Sequence, residues 1–391
     1  MKQIGIYVHI PFCQKKCNYC DFVSYSNKEE YIKDYVDSVC TEIKEVGQEV
    51  KQNIQDKRID DLEVKTIYIG GGTPSYIDSK YIEEIVRKIK ENFTIVKNAE
   101  ITIEINPGTI TNEKALCYKN IGINRVSLGL QSANSELLKM LGRIHNLEQF
   151  EEAYNLIKNA GFENINIDFM IGLPNQTMQD IEDMLKYIEN LKPNHISVYS
   201  LIVEENTQIE KQISSGKLEL PKDELEREMY WKVRNELEKL GYKHYEISNF
   251  ALNGYESKHN MDCWEQKEYM GFGVAAHSYM DRARFSNIES VEEYIENMKN
   301  GKSENNFVFH EKQDKVAQMK EYMILGLRKI DGIDCSIFEA RFDKDVFDVF
   351  DVFEEEIEKL LSEDLIVLED GRIKLSNKGI DLANLVWEEF I

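Results

Sequence analysis

No stretch of this 391-residue chain approaches the roughly 18 consecutive apolar residues that a membrane-spanning helix needs. The N-terminus has one lysine ahead of a short apolar run that ends at Pro11, and it lacks a signal-peptide core. Positive charge is scarce: 48 Lys and Arg stand against 71 Asp and Glu, a net charge of −23. Nucleic-acid phosphates select for basic surfaces, so nucleic acid drops out as a partner, and adsorption to anionic lipid is disfavoured. The seven cysteines are odd in number and unevenly spaced, which is no disulfide framework, and a cytoplasmic location is expected. Internal repeats and low-complexity linkers are absent too. So is any second C-x2-C or C-x2-H unit close to the one cysteine-dense loop, which a paired zinc site would need.

What is present is organised around that loop, Tyr7-Val8-His9-Ile10-Pro11-Phe12-Cys13-Gln14-Lys15-Lys16-Cys17-Asn18-Tyr19-Cys20. The spacing C-x3-C-x2-C lets Cys13, Cys17 and Cys20 wrap one corner of an iron–sulfur cube with soft thiolate ligands, leaving a fourth iron open to a small molecule. Zinc and buried structural thiols are the alternatives. Cys40, Cys117 and Cys335 fall in helical patterns and read as small core hydrophobes.

Strand-like apolar runs alternate with helical periodicity to about residue 200, the pattern of parallel βα units. Strands are expected at Gly5–Ile10, Thr66–Ile69, Glu100–Ile105, Arg125–Leu130, Asn164–Phe169 and His195–Ser200, with a long helix over Asn27–Gln55. Gly70-Gly71-Gly72-Thr73 follows the second strand, where missing Cβ atoms leave backbone open to a ligand. Glu104, Gln131 and Asp168 stand at strand C-terminal ends, where parallel barrels keep their chemistry, although each could merely cap a following helix. Leu218–Gly241 reads as a further helix. From about residue 309, helices at Lys315–Leu327, Ser336–Phe342 and Val352–Leu361 precede a hairpin around Glu369-Asp370-Gly371, a winged-helix-like pattern. Acidic Glu354-Glu355-Glu356 and Glu388-Glu389 argue against DNA reading by it. The expected division is 1–215 for a barrel, 216–308 for a connecting region and 309–391 for the C-terminal module.

The cysteine spacing with Tyr19 before the last cysteine resembles the signature of radical S-adenosylmethionine (SAM) enzymes. In them an open-cornered 4Fe–4S cluster chelates SAM and cleaves it to a 5′-deoxyadenosyl radical, and the fold is an α/β incomplete parallel (β/α)6 barrel. Tyr-x-His-Ile-Pro-Phe-Cys, Gly-Gly-Gly-Thr-Pro, Glu-x-Asn-Pro-Gly, Gly-x-Asn-Arg-x-Ser-x-Gly-x-Gln-Ser and Asp-x-x-x-Gly-Leu-Pro occur in order. Together they resemble the group of oxygen-independent coproporphyrinogen III oxidase and the HemW-type heme chaperones. The resemblance implies SAM contacts at Tyr7, Tyr19, Gly71, Gly72, Thr73 and Glu104. It also matches Gln131, Arg143, Asp168 and Ile202 to positions that hold a second SAM in the oxidase.

Two departures favour the chaperone branch. The oxidase has another cysteine two residues after the third ligand, where this chain has Phe22, and an N-terminal extension ahead of the first strand, which here begins by residue 5. The branch motif His-Asn-x-x-Tyr-Trp reads His259-Asn260-Met261-Asp262-Cys263-Trp264, which makes His259 the expected heme ligand and leaves open whether Cys263, in place of the tyrosine, has itself become an iron ligand. Trp264 offers a stacking face, His9 and His277 are second choices as ligands, and Arg282 and Arg284 are candidates for heme propionates. The implied partners are heme and acceptor hemoproteins such as respiratory enzymes at the membrane; a homodimer stays open. The competing readings are the oxidase reaction itself, from coproporphyrinogen III to protoporphyrinogen IX, and a heme-binding protein whose cluster is only structural.

Overall fold

Runs rich in Ile and Val alternate with polar residues, and each run becomes a strand of one sheet. The computed structural model describes residues 1–344 and 357–391. Its six parallel strands lie side by side in chain order: β1 (Lys2–Ile10), β2 (Leu62–Gly71), β3 (Ile95–Ile105), β4 (Arg125–Gln131), β5 (Asn164–Ile171) and β6 (His195–Ser200). Helices Ile32–Gln55, Ser79–Asn92, Asn112–Asn120, Leu147–Asn159 and Met178–Leu191 return the chain between them, the α/β arrangement expected of an incomplete parallel barrel.

Register sorts the side chains. Ile67 sits beside Ile101, Ile103 beside Val126, Leu128 beside Ile167 and Ile167 beside Ile196, all buried. The alternate positions bring Tyr68 beside Thr102, Glu104 beside Ser127, Ser127 beside Asn166 and Asp168 beside Ser197. One face of the sheet therefore packs apolar residues under the helices while the other is polar. A one-residue slip would exchange the two. Each fully buried apolar side chain contributes about 1.5–3 kcal/mol, so the helix-side layer is what holds the sheet.

The stretch 216–308, expected as a connecting region, supplies strands to the barrel's own sheet. β7 (Lys243–Glu246) and β8 (Asn249–Ala251) add antiparallel beyond β6. β9 (Tyr269–Phe272) pairs parallel with β1, and β10 (His277–Met280), β11 (Ala283–Asn287) and β12 (Phe307–Lys312) continue outward antiparallel. Backbone groups at both edges of the parallel set are thereby paired. Glu42 fastens the β9 side: its carboxylate accepts from Gly273 N–H at 2.8 Å, Asn287 Nδ2 at 2.6 Å and Tyr294 hydroxyl at 2.6 Å.

Two helix boundaries differ from expectation for local reasons. Asn27 is left-handed at φ 63°, so the first long helix starts at Ile32 after a single 3-10 turn. Pro221 cannot donate and disfavours helix at the residue before it. The expected Leu218–Gly241 helix accordingly begins at Asp223, with a separate helix at Gln208–Ser214 before it.

The C-terminal module has helices Lys315–Gly326 and Cys335–Phe342 and a three-stranded sheet of β13 (Ile333–Asp334), β14 (Ile366–Glu369) and β15 (Arg372–Leu375), in the order β13-β15-β14. Asp370 and Gly371 both take positive φ, 53° and 71°, as the tight hairpin requires. Of the expected helix Val352–Leu361, residues 352–356 lie outside the described residues. The module docks on the barrel through Trp231 Nε1, which donates to Asp381 at 2.8 Å. Arg341 also caps the helix Lys258–Trp264 (the one that carries His259), donating to the carbonyls of Glu265 at 2.9 Å and Gln266 at 3.1 Å.

Candidate active site and a second cavity

A cavity of about 490 Å³ opens at the C-terminal ends of the parallel strands. Cys13, Cys17, Cys20 and Tyr19 line one side, and Gly71, Gly72, Thr73, Glu104, Gln131, Arg143, Asp168 and Ile202 line the rest. All the expected SAM-side residues except Tyr7 meet here. Thr73 Oγ1 donates to Cys13 Sγ at 3.4 Å and Arg143 Nη1 to Cys17 Sγ at 3.5 Å. Arg143 Nη2 is held by Asn106 Oδ1 at 2.9 Å and the Gly129 carbonyl at 2.6 Å, while its Nε is buried without a partner. Burial pushes up the Cys13 thiol, and that of Cys20 to about 11.

The glycine run has a steric reason that the sequence did not disclose. A Cβ on Gly70 would come within 3.0 Å of the Glu104 carboxyl, one on Gly71 within 2.6 Å of the His9 ring, and one on Gly72 within 3.0 Å of Cys13 Sγ. The space freed is taken by the protein's own side chains. Glu104 accepts from Tyr68 hydroxyl at 2.8 Å and Gly71 N–H at 3.1 Å. Burial raises its carboxyl to about 7, with the negative charge of Asp168 adding to the rise. Gln131, at the mouth, holds a left-handed φ of 74°, a conformation that persists in a non-glycine residue only where its surroundings impose it.

A second cavity of about 420 Å³ lies alongside, lined by Tyr7, His9, His259, Cys263, Tyr269, Ala275, His277 and Glu289. Asp21 and Phe22 line both cavities, so the strap after the third cluster-loop cysteine is a shared wall. His259 is fixed from three directions. Its backbone N–H donates to Glu100 at 3.1 Å, its Nδ1 hydrogen-bonds Thr66 Oγ1 at 2.9 Å, and its ring stacks on Tyr68 with centroids 5.2 Å apart. No protein partner engages Nε2 among the described residues, and burial lowers the imidazole to about 4, so the ring is neutral. Cys263 is pushed up to about 12 by burial. At neutral pH the imidazole is uncharged, whereas a metal at Cys263 would have to displace the thiol proton.

Several expectations change here. Tyr7 stands in the second cavity, not the first, because its hydroxyl bonds His9 Nδ1 at 2.9 Å and the Tyr68 ring lies beside it at 6.3 Å. His9 and His277, the second choices as heme ligands, also line the second cavity. His9 is already engaged at both nitrogens, since Nε2 donates to the Val23 carbonyl at 2.8 Å. Trp264 is absent from the cavity wall and packs under the Arg328 guanidinium at 4.5 Å; Tyr7, Tyr269 and Phe22 supply the aromatic walls instead. Arg284 is paired with Glu321 at 2.6 Å, and neither it nor Arg282 lines the cavity.

Sequence reading missed Asn106, Tyr68, Thr66 and a buried chain behind the sheet's polar face. In that chain Asn166 Nδ2 donates to Asp168 at 2.7 Å, Asn166 Oδ1 accepts from His195 Nδ1 at 2.6 Å, and His195 Nε2 meets Tyr245 hydroxyl at 2.7 Å. The period-two polar positions of β2 to β6 were the available signal.

Among the described residues no three His, Cys, Asp or Glu side chains converge enough to hold a single metal ion. Three soft sulfurs lining one cavity wall, beside backbone cleared by Gly72, suit a thiolate-bound iron–sulfur cluster. A neutral, oriented imidazole among tyrosines, in a cavity reaching the surface at Phe22 and His277, suits the edge of a heme.

The family model of the radical SAM superfamily matches residues 7–188, and that of the HemN C-terminal domain matches residues 313–382. Heme chaperone HemW of Lactococcus lactis subsp. lactis (strain IL1403) is 37% identical over 391 residues, covering 100% of this chain and 98% of the relative. Heme chaperone HemW of Bacillus subtilis (strain 168) is 34% identical, with 98% of each chain covered. The radical SAM enzyme coproporphyrinogen III oxidase (HemN) from Escherichia coli has a solved structure that superposes with a TM-score of 0.81 at 23% identity, covering 100% of this chain and 90% of that one. It shares the fold.

Proposed function

Because the chain belongs to the HemW heme chaperone family of the radical SAM superfamily, we propose that it binds heme at His259 and delivers it to acceptor hemoproteins in the cytoplasm or at the membrane face. The observation that carries this reading is the second cavity, where His259 presents a free, neutral Nε2 within a tyrosine-lined wall shared with the cysteine loop. Cys13, Cys17 and Cys20 would hold a 4Fe–4S cluster, and Gly71, Gly72, Thr73, Glu104 and Arg143 would hold SAM. When bound, this pair supplies one-electron chemistry. The chain's own residues do the rest. Arg143 and Thr73 donate to the sulfurs, Glu104 accepts from ligand N–H or O–H groups, and Tyr7 and Tyr269 exclude water from the heme edge. Phe22, in place of the oxidase cysteine, weighs against the decarboxylase reading; with 57% of it exposed, it offers an apolar lip to a macrocycle. Residues 1–215 with the strands of 243–312 would form the working barrel, and 313–391 the module that steadies the His259 helix.

The test is transfer of labelled heme from the full-length protein to apo-hemoproteins, with and without cluster, SAM and reductant. Transfer faster than from free heme in solution is expected. Absence of transfer, with robust anaerobic formation of protoporphyrinogen IX from coproporphyrinogen III, would overturn the chaperone reading.

A pH dependence follows from Glu104. Its folded pKa of about 7 lies above the ordinary carboxyl value, so it is protonated below neutrality, and an ionised carboxylate is the better acceptor. SAM affinity is expected to rise about tenfold between pH 6 and pH 8, the change in ionised fraction across a pKa of about 7. Glu104→Gln should remove most of that rise; an unchanged profile in equilibrium binding would show that Glu104 does not receive the ligand.

A further inference from the structure

One side chain touches both the carboxylate of the first cavity and the imidazole of the second. Tyr68 donates its hydroxyl to Glu104 Oε1 at 2.8 Å, while its ring stacks on His259 at 5.2 Å and 30° and on Tyr7 at 6.3 Å and 29°. Thr66, two residues earlier on the same face of β2, holds His259 Nδ1 at 2.9 Å. The histidine lies directly on the strand wall: a Cβ on Gly5 would come within 3.0 Å of Thr66 Oγ1 and 3.3 Å of the His259 ring. The other oxygen of Glu104 takes the Gly71 N–H at 3.1 Å, so the carboxylate joins the glycine wall to Tyr68.

We propose that Tyr68 is a positioning residue coupling the two cavities, so that SAM held in the first tightens heme held in the second. This rests on the assignment of SAM to the cysteine-lined cavity and heme to His259. A ligand that grips Glu104 fixes the acceptor of the Tyr68 hydroxyl and hence the plane of its ring. The wall against which His259 leans is then already ordered, and the second ligand costs less conformational entropy to seat. The sign is positive, and by linkage heme tightens SAM by the same factor.

The experiment uses full-length protein with the cluster reconstituted and oxidised, without reductant, so that SAM stays intact. Hemin is titrated by its Soret band with and without SAM, and SAM with and without hemin. In the wild type each ligand is expected to tighten the other by about fivefold or more. Tyr68→Phe keeps the ring and loses the hydroxyl; it should bind both ligands with affinities that no longer depend on each other. A second measurement needs no variant: SAM alone should slow amide hydrogen exchange in the helix Lys258–Trp264 of the wild type. The proposal is overturned if SAM leaves wild-type hemin affinity unchanged, if Tyr68→Phe keeps the full mutual effect, or if the helix exchanges at the same rate. Failure of the underlying site assignment would look different: hemin binding indifferent to His259→Ala, whatever Tyr68 does.

Discussion

Alanine at Cys13, Cys17 or Cys20 is expected to yield protein that emerges from anaerobic reconstitution with little iron and without the visible absorption of an iron–sulfur cluster. Each sulfur is one of three, and the loop offers no fourth thiol: the residue two beyond Cys20 is Phe22. The remaining cysteines cannot substitute. Cys40 is buried in the first long helix, Cys117 and Cys335 belong to other helices, and Cys263 lines the second cavity. The three variants should still fold, since the helix-side apolar layer contains none of the three changed cysteines, only Phe12 beside Cys13. Iron analysis with the visible spectrum settles the matter, and full iron retention in all three variants would show that this loop is not the ligand set. Thr73→Val, which removes only the donor to Cys13 at 3.4 Å, should lower iron affinity more mildly, in the tenfold to hundredfold range typical of groups that orient a ligand.

The second large effect is expected from His259→Ala, which should weaken hemin binding by at least about tenfold, or 1.4 kcal/mol, and shift the Soret band while leaving cluster iron unchanged. The imidazole is the donor already neutral at physiological pH, and its Nε2 has no competing protein partner among the described residues. Truncation leaves Thr66 Oγ1 without its bond, but beside a cavity into which water can enter. Cys263→Tyr should be tolerated, since Cys263 borders open cavity volume and its thiol is held protonated by burial. Unchanged hemin affinity and spectrum in His259→Ala would move the heme site elsewhere.

Much of this architecture could be read from residue order because local rules and global packing agree in the parallel strands. His195–Ser200 was bounded to the residue, and β4 to within one, since Arg125–Leu130 was expected and Arg125–Gln131 is found. The cysteine loop, the glycine run and Glu104 were legible because spacing and strand ends fix them. What could not be read depends on contacts distant in sequence. No local pattern says that β9 will pair beside β1, or that Tyr7 will turn toward His9 and line the second cavity. Trp264 stands off the second cavity, because a motif names residues without saying which way a helix is rotated, and here its ring is claimed by Arg328. The glycine run was anticipated for its openness to a ligand, but the first demand on that space comes from Glu104, His9 and Cys13.

The completion of both sheet edges by residues 243–312 has a consequence for how the chain is made. β1 leaves the ribosome first, yet its outer neighbour β9 begins at Tyr269, and the opposite edge strand β6 waits for β8 at Asn249. Chains elongate at about 5–20 residues per second. From the emergence of Ser200 to that of Phe272, a nascent six-strand sheet therefore spends on the order of ten seconds with at least one unpaired margin, a template for pairing with another nascent chain. Crowded translation should thus be an aggregation-prone stage for this protein, and slower synthesis through codons 200–272 should lower its soluble yield more than the same delay placed after residue 272.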